Sequence, residues 1–131
     1  MKVIHLNAIL GTERAIARPG WEIRHLLLKQ DGMGFSMHEI IIQVGAGLHL
    51  WYKHRLEAVY CVSGDGSIED LGTGEVHPIC EGVLYAVNHH ERYILRGGSR
   101  NMRLVCAFNP PLTGNEIGVG NDFDEEVTEA T

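Results

Sequence analysis

The stretch Leu56-Glu57-Ala58-Val59-Tyr60-Cys61-Val62-Ser63-Gly64-Asp65-Gly66-Ser67-Ile68-Glu69-Asp70-Leu71-Gly72-Thr73-Gly74-Glu75-Val76 decides the fold. From Glu57 the side chains alternate with a period of two, Ala58, Tyr60 and Val62 on one face and Glu57, Val59 and Cys61 on the other, as a half-buried strand requires. Ser63-Gly64-Asp65-Gly66 breaks the run with residues that tolerate positive φ. The alternation restarts over Ser67–Leu71 as a returning strand, and Gly72-Thr73-Gly74 makes a second turn.

Outward from this hairpin the same grammar repeats. Trp21–Leu28, Phe35–Val44, Leu48–Tyr52, Val83–Val87, Arg92–Leu95 and Met102–Phe108 read as strands, separated by Asp31-Gly32-Met33-Gly34, Gly45-Ala46-Gly47, Pro78 to Gly82, Asn88-His89-His90-Glu91 and Gly97-Gly98-Ser99. Met1–Leu10 alternates weakly and is expected to be an N-terminal strand, and Thr12–Ala17 a short helical or irregular piece ended before Pro19. Asn109-Pro110-Pro111 stops the last strand, because proline removes a donor and disfavours continuation. Many short strands without a long helix predict an all-β barrel or two-sheet sandwich.

The 131 residues fit one domain. A formal charge of −6 with no basic cluster excludes the electrostatic footprint of a nucleic-acid binder. Cys61, Cys80 and Cys106 are odd in number and set in apolar sequence, which reads as reduced thiols and a cytoplasmic location. No run approaches the length a bilayer demands, so no membrane partner is expected. The residues from Asn115 onward carry six acidic side chains and no basic one, so the domain is expected to span 1–115 and 116–131 to be an acidic, mobile tail.

An acidic residue entering a strand, followed by six residues and a glycine turn, is also the spacing of the first motif of the cupin superfamily, where the acid points into a small barrel and holds a metal. The usual cupin site adds three histidines. Here the positions for two of them are held by Leu50 and Tyr52, and that for the last by Tyr93. What remains is Glu57, Tyr85 and Tyr93, an oxygen-only set suited to oxidised iron, unless both tyrosines simply fill the interior.

Four separated segments carry a closer resemblance: Leu26–Ser36, Leu56–Cys61, Ile68–Gly74 and Phe108–Gly114 with Glu116. Together they resemble the ectoine synthases, members of the cupin superfamily, which implies a cupin-type β-barrel, a two-sheet jelly-roll-like sandwich. The resemblance implies a cytoplasmic homodimer with a mononuclear iron that closes a small-molecule substrate, N-γ-acetyl-2,4-diaminobutyrate, into ectoine with loss of water. It further implies Glu57 and Tyr85 as iron ligands, with Tyr93 at the third position. Trp21, Ile40, Tyr52, Phe108 and Glu116 fall at substrate-contacting positions, and Glu116, Tyr52 and Cys106 at those that would move protons. Three positions depart from the family pattern: Tyr93 for a histidine, Ile40 for a threonine and Gly118 for a histidine. They leave open a weakened metal site with His89 or His90 moving in, or a diverged paralogue that binds or cyclises a related polar metabolite.

Overall fold

The computed structural model describes residues 1–116 and the strand Glu125–Glu129. Eleven strands are placed: β1 Ala15–Arg18, β2 Trp21–Leu27, β3 Ser36–Ile42, β4 Gly47–Tyr52, β5 Leu56–Ser63, β6 Asp65–Asp70, β7 Val76–Cys80, β8 Leu84–Val87, β9 Arg92–Gly97, β10 Met102–Asn109 and β11 Glu125–Glu129. They form two antiparallel sheets, ordered β1-β2-β3-β10-β5-β8 and β11-β4-β9-β6-β7. The all-β, two-sheet sandwich expected from the turn spacing is therefore the observed architecture.

The turn at the centre of the sequence reading closes no hairpin: β5 pairs with β10 and β8, and β6 with β9 and β7, so the returning strand expected after it joins the opposite sheet and the turn hands the chain from one sheet to the other. Along β5, Glu57, Val59 and Cys61 are buried while Ala58 and Tyr60 face solvent. The turn into β6 depends on Gly64, whose φ is +88° and where a Cβ would meet the Asn101 carbonyl oxygen at 2.1 Å. A substitution there would clash with backbone, so β5 and β6 can part company only with glycine at this point.

Between the sheets, Ile23, Ile42, Leu95, Met102, Leu104 and Phe108 are almost completely enclosed. Antiparallel register lines the interior of the first sheet into rungs. Ser36, Phe108, Glu57 and Val87 lie side by side across β3, β10, β5 and β8. On the neighbouring rung stand His25, His38, Cys106, Val59 and Tyr85. On the outer face, Glu39 of β3 is buried between Arg24 of β2, at 2.5 Å, and Arg103 of β10, at 2.6 Å.

Several elements differ from the sequence reading. Met1–Leu10 forms no strand; it contains a 3-10 turn at Leu6–Ala8, and Met1 and Val3 are exposed. A strand there would have needed a partner to take its donors, and the edge position goes instead to β1, which replaces the helical or irregular piece expected over Thr12–Ala17. Pro78 lies inside β7 and not in a turn, because β7 is an edge strand and can lack a donor on its outer side. Of the expected mobile tail, Glu125–Glu129 pairs with β4 as β11, Glu116 is buried, and residues 117–124 and 130–131 lie outside the described residues.

Candidate functional site

Glu57 begins the interior. It enters β5 facing inward because the period-two alternation gives it the same face as Val59 and Cys61. A carboxylate at this depth has lost its water, and burial lifts its pKa to about 7 even though the hydrogen bond from Tyr93 works in the opposite direction. Tyr93 arrives from β9 in the opposite sheet and donates its hydroxyl to Glu57 Oε1 at 2.5 Å. Its ring stands edge-on to that of Tyr85, with centroids 6.2 Å apart. Burial, then the Glu57 charge, push both phenols well above their ordinary range, so both are neutral donors at pH 7. The Cys106 thiol is raised by the same two causes and is protonated as well.

Trp21, Ile40 and Tyr52 share with Glu57, Tyr85 and Tyr93 one interior cavity of about 20 Å³, space for roughly one water. Tyr52 packs edge-on against Phe108 at 4.7 Å between centroids. Eight of the nine residues singled out from the sequence thus gather between the two sheets.

Glu116 is the ninth; it does not line that cavity, and its charge acts on the buried His25 ring, which stands on the same rung as Cys106. Its carboxylate accepts from Thr113 N at 2.7 Å, Thr113 Oγ1 at 2.9 Å and Gly114 N at 2.9 Å, and Arg55 Nη2 approaches to 3.3 Å. Burial alone would raise its pKa, but these donors outweigh burial and hold it below the usual carboxylate value. In sequence no basic residue stands near Glu116; Arg55 reaches it across 61 positions, a contact only the fold could supply.

His89 and His90 stand away from the Glu57 cavity. Both are exposed, His90 is held by the Tyr52 carbonyl at 3.1 Å, and neither lines the cavity of Glu57. Among the described residues no three His, Cys, Asp or Glu side chains converge as metal ligands would. Gly118 lies outside the described residues. The donors at Glu57, Tyr85 and Tyr93 are a carboxylate and two phenols facing one cavity, and Glu57 is buried with a neutral phenol as its hydrogen-bond partner. This set fits a hard cation such as oxidised iron, whose charge would offset the burial of the carboxylate.

Two features escaped the sequence reading. The edge strands β7 and β8 border a cleft of about 440 Å³ that reaches Tyr85 and Tyr93 from outside, with Asp70, His77 and Glu91 among its lining residues. Its size suits a small ligand, whereas the inner cavity does not. The second is a buried pair, His25 and His38, whose signal lay in the alternation: His25 follows Trp21 and Ile23, and His38 precedes Ile40 and Ile42, on inward positions.

A family profile described as ectoine synthase matches residues 1–123. The L-ectoine synthase of Desulfosudis oleivorans is 61% identical over 116 residues, 88% of this chain and 90% of that protein. The crystal structure of ectoine synthase from P. lautus superposes with a TM-score of 0.88 at 45% identity, covering all of this chain and 92% of that one. The cupin domain of Schizosaccharomyces pombe Cnp3, 12% identical, shares the fold alone, with a TM-score of 0.63 over 73% of this chain and 67% of that one.

Proposed function

The chain belongs to the ectoine synthase family, and we propose on that footing that it is a lyase closing N-γ-acetyl-2,4-diaminobutyrate into ectoine with loss of water. The observation that carries the reading is the meeting of Glu57, Tyr85, Tyr93 and Tyr52 around one buried cavity, with the buried Cys106 close enough to interact electrostatically with Glu57 and Tyr85. In the reaction the free 2-amine attacks the acetyl carbonyl carbon, a C–N bond forms, and the former carbonyl oxygen leaves as water once two protons have reached it. The amine must first lose a proton, and a carboxylate at Glu116 is the acceptor assigned to it. Neutral donors are needed on the oxygen's side. Tyr52 and Cys106 supply them, because burial keeps a thiol protonated there.

Iron, if held, is held by Glu57, Tyr85 and Tyr93; when bound it supplies a Lewis acid that polarises the carbonyl. Substrate reaches this centre through the cleft between β7 and β8. The protein works in the cytoplasm as a homodimer, a reading that rests on family likeness; light scattering at micromolar concentration giving the mass of one chain would sink the dimer. Among the described residues no helix is long and apolar enough to cross a membrane.

Ile40 and Tyr93 in the cavity wall favour a second reading, a paralogue turned to a related polar metabolite. One experiment separates the two. Purified, iron-loaded protein is incubated with the acetylated diamino acid, and ectoine is sought by mass spectrometry. Ectoine formation supports the first reading; binding of the diamino acid without turnover supports the second.

A further inference from the structure

Cys61 and Cys80 take no part in the proposed reaction, yet the fold brings them to one corner. Cys61 lies near the end of β5, faces inward and is 1% exposed; its thiol donates to the Ser63 carbonyl at 3.4 Å and approaches that of Gly64 at 4.0 Å. Cys80 ends β7 in the other sheet, is exposed, and stands opposite Asp65 of β6.

A tight turn joins the two neighbourhoods. Val83 N donates to the Cys80 carbonyl at 3.1 Å, and Gly82 holds the third position of this β-turn at a φ of +92°. The far end of the turn is fastened to Cys61 from both sides. Gly82 N donates to the Cys61 carbonyl at 3.0 Å, and Cys61 N donates to the Val83 carbonyl at 2.9 Å. The chain therefore meets Cys61 along two routes, through the Ser63–Asp65 turn that leads to the partner strand of Cys80 and through the turn that Cys80 itself begins. The Cys80 sulfur is close enough for its charge to act on Cys61.

The two thiols differ in what can reach them. Cys80 meets solvent, and Cys61 is open to attack only from its neighbours. Burial pushes the Cys61 thiol above its ordinary value and the Cys80 and Glu81 charges add to this, while Arg100 pulls the other way, so Cys61 rests as a thiol. An accessible sulfur beside a sheltered one is the arrangement of an attacking and a resolving cysteine. Cys106 is enclosed at mid-strand, opposite Val59, where a dissolved reagent does not meet it.

We propose that Cys61 and Cys80 form a reversible disulfide, a redox modification site that staples the two sheets together at the edge where β7 and β8 face each other. The oxidant is a small-molecule disulfide such as oxidised glutathione. The Cys80 thiolate attacks one of its sulfurs, a Cys80–glutathione bond forms, and the other glutathione leaves as a thiolate that takes a proton from water. Cys61 then gives its proton to water and attacks the Cys80 sulfur, and the Cys61–Cys80 bond forms as the second glutathione leaves. Two protein thiols lose two electrons and two protons, one small disulfide becomes two thiols, and excess reduced glutathione reverses the exchange. Closing the bond asks for a swing of the Cys80 end of the turn, which its exposure permits. Pro78, Ile79, Val83 and Leu84, on either side of that turn, are walls of the 440 Å³ cleft, so oxidation fixes the cleft at one end.

The test reads covalent state and not turnover, so it stands whichever ring the protein closes. The full chain, reduced and freed of reductant, is incubated with oxidised glutathione at pH 7.5. Intact mass spectrometry should show the loss of two hydrogens with no glutathione retained. A non-reducing digest that cuts after Glu69 and Glu75 should leave the Cys61 and Cys80 fragments joined, and reduced glutathione should part them. Amide exchange at Gly82 and Val83 should slow about tenfold or more on oxidation, because the turn can no longer open. Cys80→Ser abolishes the reaction, and Cys61→Val stops it at the glutathione adduct on Cys80. Cys80→Ser alters an exposed position, so it decides the matter even if Cys61→Val fails to fold. A wild type that stays reduced, a glutathione adduct that persists on its Cys80, a bond to Cys106, or a bond between two copies through Cys80 would each overturn the proposal.

Discussion

Acidification should attack this fold through its two buried imidazoles. An unfolded histidine titrates near 6.5, whereas His25 and His38 are held near 4 and 3, so the unfolded chain takes up protons first as pH falls. Their contribution is complete above pH 6.5 and is lost progressively as pH drops toward 4 and then 3. At pH 5 the difference in protonation is worth about 2 kcal/mol per ring as an upper bound, about 4 kcal/mol for the pair. Glu57 pulls the other way. Its pKa near 7 against 4.5 unfolded means that the folded state binds the extra proton, so its contribution is present below 4.5 and is lost as pH rises through 7. Between pH 7.5 and 5 Glu57 therefore offsets about half of the histidine loss, and a pH scan of the wild type alone is misleadingly flat. The informative comparison is with a double variant, His25→Phe with His38→Leu, which removes both rings so that neither is left without its partner. Glu57, Glu116 and Arg14 are unchanged in it, so their contributions cancel in the difference. Urea unfolding at pH 7.5, 6 and 5 should show the stability gap between wild type and variant shifting by about 4 kcal/mol in favour of the variant at the lowest pH. A gap that stays constant across the three values would show that the rings titrate normally, and the burial argument would fall with it.

Glu116→Gln should cut turnover about a hundredfold or more while leaving the fold intact, measured by steady-state kinetics beside a melting curve; wild-type rates would leave the amine proton without an acceptor. Tyr93→His restores an imidazole donor beside Glu57 and should raise the iron retained after matched loading, read by elemental mass spectrometry. If it holds no more than the parent, Tyr93 is not at a metal position. Phe108→Ala removes a ring packed between His38 and Tyr52 and should cost about 3–5 kcal/mol in denaturant unfolding; a loss below about 1 kcal/mol would mean the two sheets close over the gap.

The strands were legible because burial on one face writes a period of two into the sequence, and it did so clearly for β2, β3, β5 and β10. That period also told which face of β5 Glu57 shares, and hence that it joins Val59 and Cys61 inside. Edge strands were harder to read. β1 and β7 bury little, so their patterns are weak, and Pro78 looks like a turn until the empty outer side of β7 is known. The inner site could be assembled from resemblance, but not its electrostatics: the Tyr93–Glu57 bond joins two sheets across 36 positions, and Arg55–Glu116 spans 61. Nothing local encodes such pairings. His25 and His38 were missed although they fall on inward positions of the alternation, and their contact depends on β2 and β3 aligning in one register, which no single strand specifies.

The ion triad of Arg24, Glu39 and Arg103 sits outside the sandwich, far from any chemistry, yet it ties together the three strands β2, β3 and β10. Strand pairing is indifferent to a slip of one residue as far as backbone hydrogen bonds go, but such a slip turns every side chain over. In β10 it would send Cys106 and Phe108 to solvent and put Val105 and Ala107 in their place, so the thiol and the ring packed between His38 and Tyr52 would vanish together. A slipped β10 would also pull Arg103 away from Glu39 and strand a buried carboxylate with half its cations. The triad therefore acts as a lock on alignment: an error invisible to the backbone is made expensive on the outside, and the inside is kept in order by charges that never touch it.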